Sequence, residues 1–128
     1  MRLELPHVTL IVLRTAATLA LSAVIGQAGW AAAFLGGESQ YRAAHEVGAV
    51  VTLVTLVVTA VLYLVLRRYA GTVSTVLAVV LAVMGAAQYA LGEGGIVSEH
   101  IFLGVLTAMV ATALTSWTFR HRYEPASD

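Results

Sequence analysis

Four long apolar segments, separated by short polar or glycine-rich breaks, dominate the chain. A membrane-spanning helix needs about 20 predominantly apolar residues, and each segment meets that requirement. The pattern predicts an all-α fold, a bundle of four transmembrane helices, because no alternation of apolar and polar residues indicates a strand. The predicted spans cover approximately Val8 to Leu35, Tyr41 to Leu66, Thr72 to Leu91 and Ser98 to Thr118.

The composition indicates a chain that lies mostly within a lipid bilayer. Hydrophobic residues make up 59% of it and charged residues 11%, whereas soluble domains carry about 25% charged residues. The formal net charge is zero, so no basic field attracts nucleic acid, and we expect no nucleic-acid partner. The chain has no cysteine, which excludes disulfides, thiolate zinc sites, iron–sulfur clusters held by this chain and a covalently attached c-type haem.

The apolar pattern predicts one four-helix transmembrane domain over residues 1–122 and a short cytoplasmic tail over residues 123–128. The first span has an alternative interpretation as a secretory signal, with Ala31-Ala32-Ala33 as small residues for cleavage. Signal peptides have an apolar core of about 7–15 residues. The first span is longer, which favours a retained helix.

The distribution of arginine predicts the orientation of the bundle. Cytoplasmic loops of membrane proteins carry an excess of Lys and Arg. Arg42 is the sole basic residue in the two loops and span ends of the opposite side, which also hold Glu38, Glu93 and Glu99. The other side holds Arg2, Arg14, Arg67, Arg68, Arg120 and Arg122. We therefore predict a multi-pass protein of the cell membrane with both termini inside and the lipid bilayer as its first partner.

Two histidines, His45 and His100, lie inside predicted spans, where ionisable groups are costly and usually face the bundle interior. The second and fourth spans cross the membrane in the same direction, so their depths can be compared. His45 precedes Arg67 by 22 residues, and His100 precedes Arg120 by 20. At about 1.5 Å of rise per residue, both imidazoles lie roughly 30–33 Å from the inner charges. They are therefore expected at nearly the same height, just below the outer surface.

Histidines at one depth on two parallel helices of a four-helix bundle are the arrangement that a haem with two axial imidazole ligands requires. Gly48 and Gly104 follow His45 and His100 by about one turn, and such small residues leave room for a flat macrocycle. We therefore predict a metal site formed by His45 and His100, with b-type haem as the cofactor.

Two other interpretations of the histidines stay open. Each imidazole could form a hydrogen bond between helices without any cofactor, and for a single histidine that would be the better interpretation. A zinc ion would need a third or fourth ligand, for which Glu46 and Glu99 are the nearest carboxylates in the sequence.

Polar residues at the same level are further candidates for contacts with a cofactor. Gln27 and Gln88 lie near the outer ends of the first and third spans, where either could bond to a haem edge, a histidine or another helix. Arg42 is the candidate partner of a haem propionate, because it is the only basic residue on the predicted outer side. Its alternative partner is Glu46, at the i, i+4 spacing of an exposed ion pair.

The segment Gln88-Tyr89-Ala90-Leu91-Gly92, followed by His100-Ile101-Phe102-Leu103-Gly104, resembles the third and fourth helices of one half of haem A synthase. That enzyme consists of two similar four-helix halves, each with a histidine on its second and fourth helices, and some relatives consist of a single half that dimerises. The resemblance extends from about Gln27 onward. It implies His45 and His100 as haem ligands and a homodimer as one form of assembly.

The chain departs from this family at one position. Haem A synthases carry a glutamate three residues before the histidine of the second helix, implicated in oxidising a haem methyl group. Here that position is Arg42, and Glu46 points about 100° around the helix from His45. The departure argues against oxygenase activity.

The sequence thus leaves more than one function open. The first is a membrane haem-binding protein for electron transfer or haem handling, with a respiratory-chain protein or a second copy as partner. The alternatives are a single-half haem A synthase-like enzyme that modifies haem, and a cofactor-free structural or assembly subunit of a membrane complex.

Overall fold

A computed structural model of the 128-residue chain describes residues 7–122. Its helices are α1 (Val8–Leu35), α2 (Tyr41–Val65), α3 (Arg67–Ala70), α4 (Thr72–Glu93) and α5 (Val97–Arg120). The four long helices are each long and apolar enough to cross a membrane. The predicted all-α, four-helix architecture is therefore confirmed. The predicted tail over residues 123–128 lies outside the described residues.

The main differences between the helix boundaries and the predicted spans lie after the second span and at the ends of α4 and α5. The predicted break between the second and third spans contains the one-turn helix α3, which ends where Gly71 adopts a φ of 77°. Helix α4 continues to Glu93, because the chain turns at Gly95, whose φ is 68°. Helix α5 extends to Arg120, beyond the predicted end at Thr118. Glycine allows both turns, since positive φ is strained for other residues.

The four long helices form a ring in which each packs against two neighbours. Helix α1 contacts α2 and α5, and α4 contacts the same two helices. Short connections make successive long helices antiparallel, so α2 and α5 point in the same direction. These two helices are diagonal to one another across the centre of the bundle. The ring therefore places the two histidine-bearing helices face to face.

The best-packed part of the bundle lies away from the histidines, in the half that contains the arginines. Small residues such as Ala17 and Ala78 are fully buried there and allow close helix contacts. Leu13, Leu81 and Leu114 fill the space between them. By contrast, between 22% and 28% of the most apolar window of each long helix is buried inside the bundle. The remaining apolar surface suits a lipid environment better than water.

Tyr63 joins three helices in this packed half. Its hydroxyl group donates to the backbone oxygen of Leu13 at 3.0 Å and lies 2.7 Å from Oγ1 of Thr118. Because a carbonyl oxygen can only accept, the Thr118 hydroxyl is the donor in the second bond. The side chain of Tyr63 is fully buried. It therefore links α2 to α1 and, across the diagonal, to α5.

Substitution Tyr63→Phe tests this link. We expect it to lower the free energy of unfolding in detergent by about 0.5–2 kcal/mol, because hydrogen bonds between membrane helices contribute in that range. Tyr41→Phe is the matched control, since Tyr41 is exposed and its hydroxyl group has no hydrogen bond to the described residues. Equal unfolding transitions for the two variants would contradict a role for the Tyr63 hydroxyl.

Candidate functional site

His45 and His100 come together in the half of the bundle opposite to Tyr63. Each lies near the start of its helix, α2 or α5, and their ring centroids are 6.2 Å apart with perpendicular planes. Metal–imidazole bonds are about 2 Å long, so imidazoles on opposite sides of one metal ion have centroids roughly 6 Å apart. Rotation about the metal–nitrogen axis leaves such bonds intact, so perpendicular rings suit this role.

Each imidazole is hydrogen-bonded through one nitrogen to a neighbouring helix. Nδ1 of His45 is 3.2 Å from the backbone oxygen of Gln27, and Nδ1 of His100 is 2.9 Å from that of Gln88. A carbonyl oxygen only accepts, so Nδ1 carries the proton and Nε2 of the neutral ring keeps its lone pair. Neither Nε2 has a hydrogen-bond partner among the described residues. Metal-binding histidines are commonly oriented by such a bond.

The same arrangement occurs in two helix pairs, α1 with α2 and α4 with α5. In each pair, the backbone oxygen of a glutamine on the first helix accepts a hydrogen bond from Nδ1 of a histidine on the second. The side-chain amide of each glutamine lies over a glycine that follows the histidine, Gln27 over Gly48 and Gln88 over Gly104. The sequence alone shows no internal repeat, because the residues between these positions differ.

The two glutamine amides differ in their hydrogen bonds. Nε2 of Gln88 donates to the backbone oxygen of His100 at 2.7 Å, and Nδ1 of His100 donates to the backbone oxygen of Gln88. Each of the two residues thus donates one hydrogen bond to the other. Oε1 of Gln88 is buried without a partner, and so are Oε1 and Nε2 of Gln27. Buried amide groups without a hydrogen bond are costly. A bound molecule could therefore supply hydrogen-bond partners to these three amide atoms.

A cavity of about 940 Å³ has the histidines and glutamines in its wall, which continues along α5 to Arg120. It lies at the upper end of the range for small-molecule and cofactor sites, about 300–1,000 Å³. Apolar side chains form most of its wall, and the buried side chain of Leu56 lies among them. The residues of the predicted site that line it are Gln27, His45, Gln88, His100 and Gly104.

Gly48 lies outside this wall and has a packing role. A Cβ atom at this position would be 2.5 Å from Cζ3 of Trp30 and would also overlap the Gln27 amide. Gly48 therefore lets α1 and α2 approach at the level of His45. Gly104 does line the cavity, and a Cβ there would be 3.0 Å from Nε2 of Gln88.

Arg42 lies on the surface and not in the cavity wall. Its Nε is 3.5 Å from Oε1 of Glu46, and the two side chains are 74% and 68% exposed. The surface ion pair that the sequence offered as an alternative is therefore present. A role for Arg42 with a haem propionate stays a prediction. It would require the guanidinium group to leave Glu46 or to bind Glu46 and the propionate together.

The carboxylates near the site do not join the histidines. Glu46 pairs with Arg42, and Oε2 of Glu99 accepts from the hydroxyl group of Ser98 at 2.8 Å. Over residues 7–122, no three His, Cys, Asp or Glu side chains are grouped so that they could hold a metal ion. The described residues thus offer no third protein ligand of the kind that zinc would need.

Sequence analysis missed some side chains that position the histidines. Phe34 packs against His45 with a centroid distance of 5.4 Å, and Trp30 covers Gly48. Gly92 was interpreted as part of a break, yet it lies in α4, where a Cβ would be 3.1 Å from Cε1 of His100. The spacing of Gln27 and Gln88 from the histidines was visible in the sequence, but only the fold shows that backbone oxygens are the acceptors.

Comparison with protein-family models, with characterised proteins and with solved structures finds no significant match for this chain.

Substitution Gly48→Ala tests the close contact between α1 and α2. The added methyl group would displace Gln27 and Trp30, so we expect the free energy of unfolding to fall by about 1–3 kcal/mol. Gly26→Ala is the control, because no atom lies within 4 Å of a Cβ at that position of α1. Thermal or denaturant unfolding in detergent measures both variants. Equal stability would show that the two helices do not approach so closely.

Proposed function

We propose that this protein is a membrane haem-binding protein that holds one b-type haem between His45 and His100. The observation that carries the proposal is the pair of imidazoles, 6.2 Å apart, each with Nδ1 tied to a backbone carbonyl oxygen. Both Nε2 lone pairs are thereby left for a metal ion. The proposed use of the cofactor is electron transfer or haem handling.

The residues present fit a haem better than a bare metal ion. Two protein nitrogens complete the coordination of an iron whose other four ligands come from a porphyrin, whereas zinc needs further protein ligands. The cavity has the volume of a cofactor site and a largely apolar wall. Its unpartnered amide atoms on Gln27 and Gln88 suit the polar substituents at a haem edge.

Each part of the chain has a defined task in this proposal. His45 and His100 bind the iron, and the carbonyl oxygens of Gln27 and Gln88 orient them and keep Nδ1 protonated. The apolar wall excludes water, which favours tight binding of the macrocycle. Bound haem supplies reversible one-electron transfer, with a potential set by its axial ligands and their hydrogen bonds.

The haem-modifying alternative is less well supported than simple haem binding. No Asp or Glu is among the described residues that line the cavity. Glu46, the carboxylate next to His45, is an exposed partner of Arg42. An enzyme that oxidises a haem methyl group would need a carboxylate beside its substrate, as the resemblance to haem A synthase implies. We therefore place haem binding before haem modification.

Absorption spectra of the purified protein test the proposal. Protein from haem-replete cells should be red, with a Soret band that shifts and sharpens on reduction. His45→Ala and His100→Ala should each weaken haem binding by at least about 100-fold, because loss of a metal ligand costs more than loss of its hydrogen-bond partner. Titration of the purified apoprotein with hemin measures this effect.

His121→Ala is the matched control for these variants. His121 follows the end of α5, beside Gly71, and does not line the cavity. It should leave the spectrum unchanged. Colourless wild-type protein that does not take up added hemin would overturn the proposal and favour a cofactor-free structural subunit.

The proposed orientation places both termini inside the cell and the histidine end outside. Among the described residues, all the glutamates and Arg42 are at the histidine end, while Arg14, Arg67, Arg68, Arg120 and Arg122 are at the other. This distribution follows the excess of arginine in cytoplasmic segments of membrane proteins. The haem would then lie near the outer surface, where an electron-exchange partner could approach it.

Single cysteines test this orientation, because the chain has none of its own. Ser39→Cys lies in the loop between α1 and α2, and Ser127→Cys lies near the C-terminus. In intact cells, a membrane-impermeant maleimide should label Cys at position 39 and should label position 127 only after lysis. Labelling of position 127 in intact cells would contradict the orientation.

A further inference from the structure

The cavity around the histidines continues to the lipid-facing surface between α1 and α5. Its wall includes the partly buried residues His45 and His100 and, further along α5, Val105 and Met109. Those two side chains are 57% and 63% exposed. Ala28 of α1, also exposed, forms part of the facing wall. One continuous space thus connects the histidine pair with the outer surface of the bundle.

Hydrogen bonds hold α1 and α5 together only in the half that is far from the histidines. There, Arg14 donates to the backbone oxygen of Phe119, and Thr115 donates to that of Ala17. Over residues 7–122, no hydrogen bond joins the two helices at the level of the histidines. These two bonds therefore tie α1 to α5 at the end far from the histidines.

The loops do not contribute to the cavity wall. The described residues that line it all belong to the four long helices, and none lies in the connections at 36–40 or 94–96. Leu35 is the wall residue nearest to the first of these loops. The exposed part of the wall that includes Ala28, Val105 and Met109 therefore lies within the span of the apolar helices.

We propose that haem enters and leaves this site laterally, from the bilayer, through the opening between Ala28 of α1 and Val105 of α5. The inference rests on the proposed haem-binding function. A haem has a large apolar macrocycle, and apolar surface dissolves in the hydrocarbon region of a membrane. Alanine on the α1 side keeps the opening wide, and flexible Met109 lines its lower part. Membrane-dissolved haem is thus the immediate partner of this surface.

Val105→Trp tests the opening. An indole at this position should obstruct the passage without touching either iron ligand. In liposomes that contain the apoprotein, we expect haem uptake from donor vesicles loaded with hemin to slow by about tenfold. Release to an excess of apomyoglobin should slow by the same factor, so the dissociation constant should not change. The Soret band follows both rates.

Val83→Trp is the matched control. Val83 is 64% exposed, lies in α4 at a similar distance from the same end of the bundle, and does not line the cavity. Its uptake and release rates should equal those of the wild type. Val105→Ala provides the opposite change, and it should accelerate both processes even if the tryptophan variant does not fold.

The outcomes separate this inference from the proposed function. Wild-type protein that never binds hemin would overturn both. Normal binding with equal rates in Val105→Trp, Val105→Ala and Val83→Trp would overturn lateral entry alone. A weaker affinity in Val105→Trp with an unchanged uptake rate would also overturn it, because Val105 would then be a wall of the bound site and not its entrance.

Discussion

The hydrogen bonds between imidazole Nδ1 atoms and backbone oxygens are the constraint on which the rest of this structure depends. In a membrane interior, a polar group without a partner is costly. Gln27 and Gln88 satisfy one nitrogen of His45 and His100 through their carbonyl oxygens. These bonds hold Nδ1 of each ring against a neighbouring helix, and Nε2 has no hydrogen-bond partner among the described residues. In the proposed function, the two Nε2 lone pairs are the ligands of the haem iron.

The two ends of the bundle differ in their packing: one is closely packed, and the other contains the candidate site. At one end, small residues and the bonds of Tyr63 hold α1, α2 and α5 together. At the other end, glycines such as Gly48 admit glutamine and aromatic side chains, and the two histidines line a cavity that continues along α5. Close packing at one end thus allows an open site at the other, because the helices are continuous through both.

Much of the architecture could be predicted from the sequence, since lipid imposes a strong requirement on span length. The four spans, and the neighbouring positions of His45 and His100, follow from apolar runs and from counting residues. Other features could not be predicted. The acceptors of the histidine protons are backbone atoms, which no sequence pattern marks. The surface position of Arg42 and the packing of Gly48 against α1 depend on how the helices are rotated about their axes.

Electron paramagnetic resonance of the oxidised, haem-loaded protein tests the central claim most directly, because it reports the axial ligands of the iron. Two imidazoles with perpendicular planes, as His45 and His100 have here, predict a highly anisotropic low-spin ferric signal. A high-spin signal from bound haem, or a low-spin signal that persists when both histidines are replaced by alanine, would contradict the account.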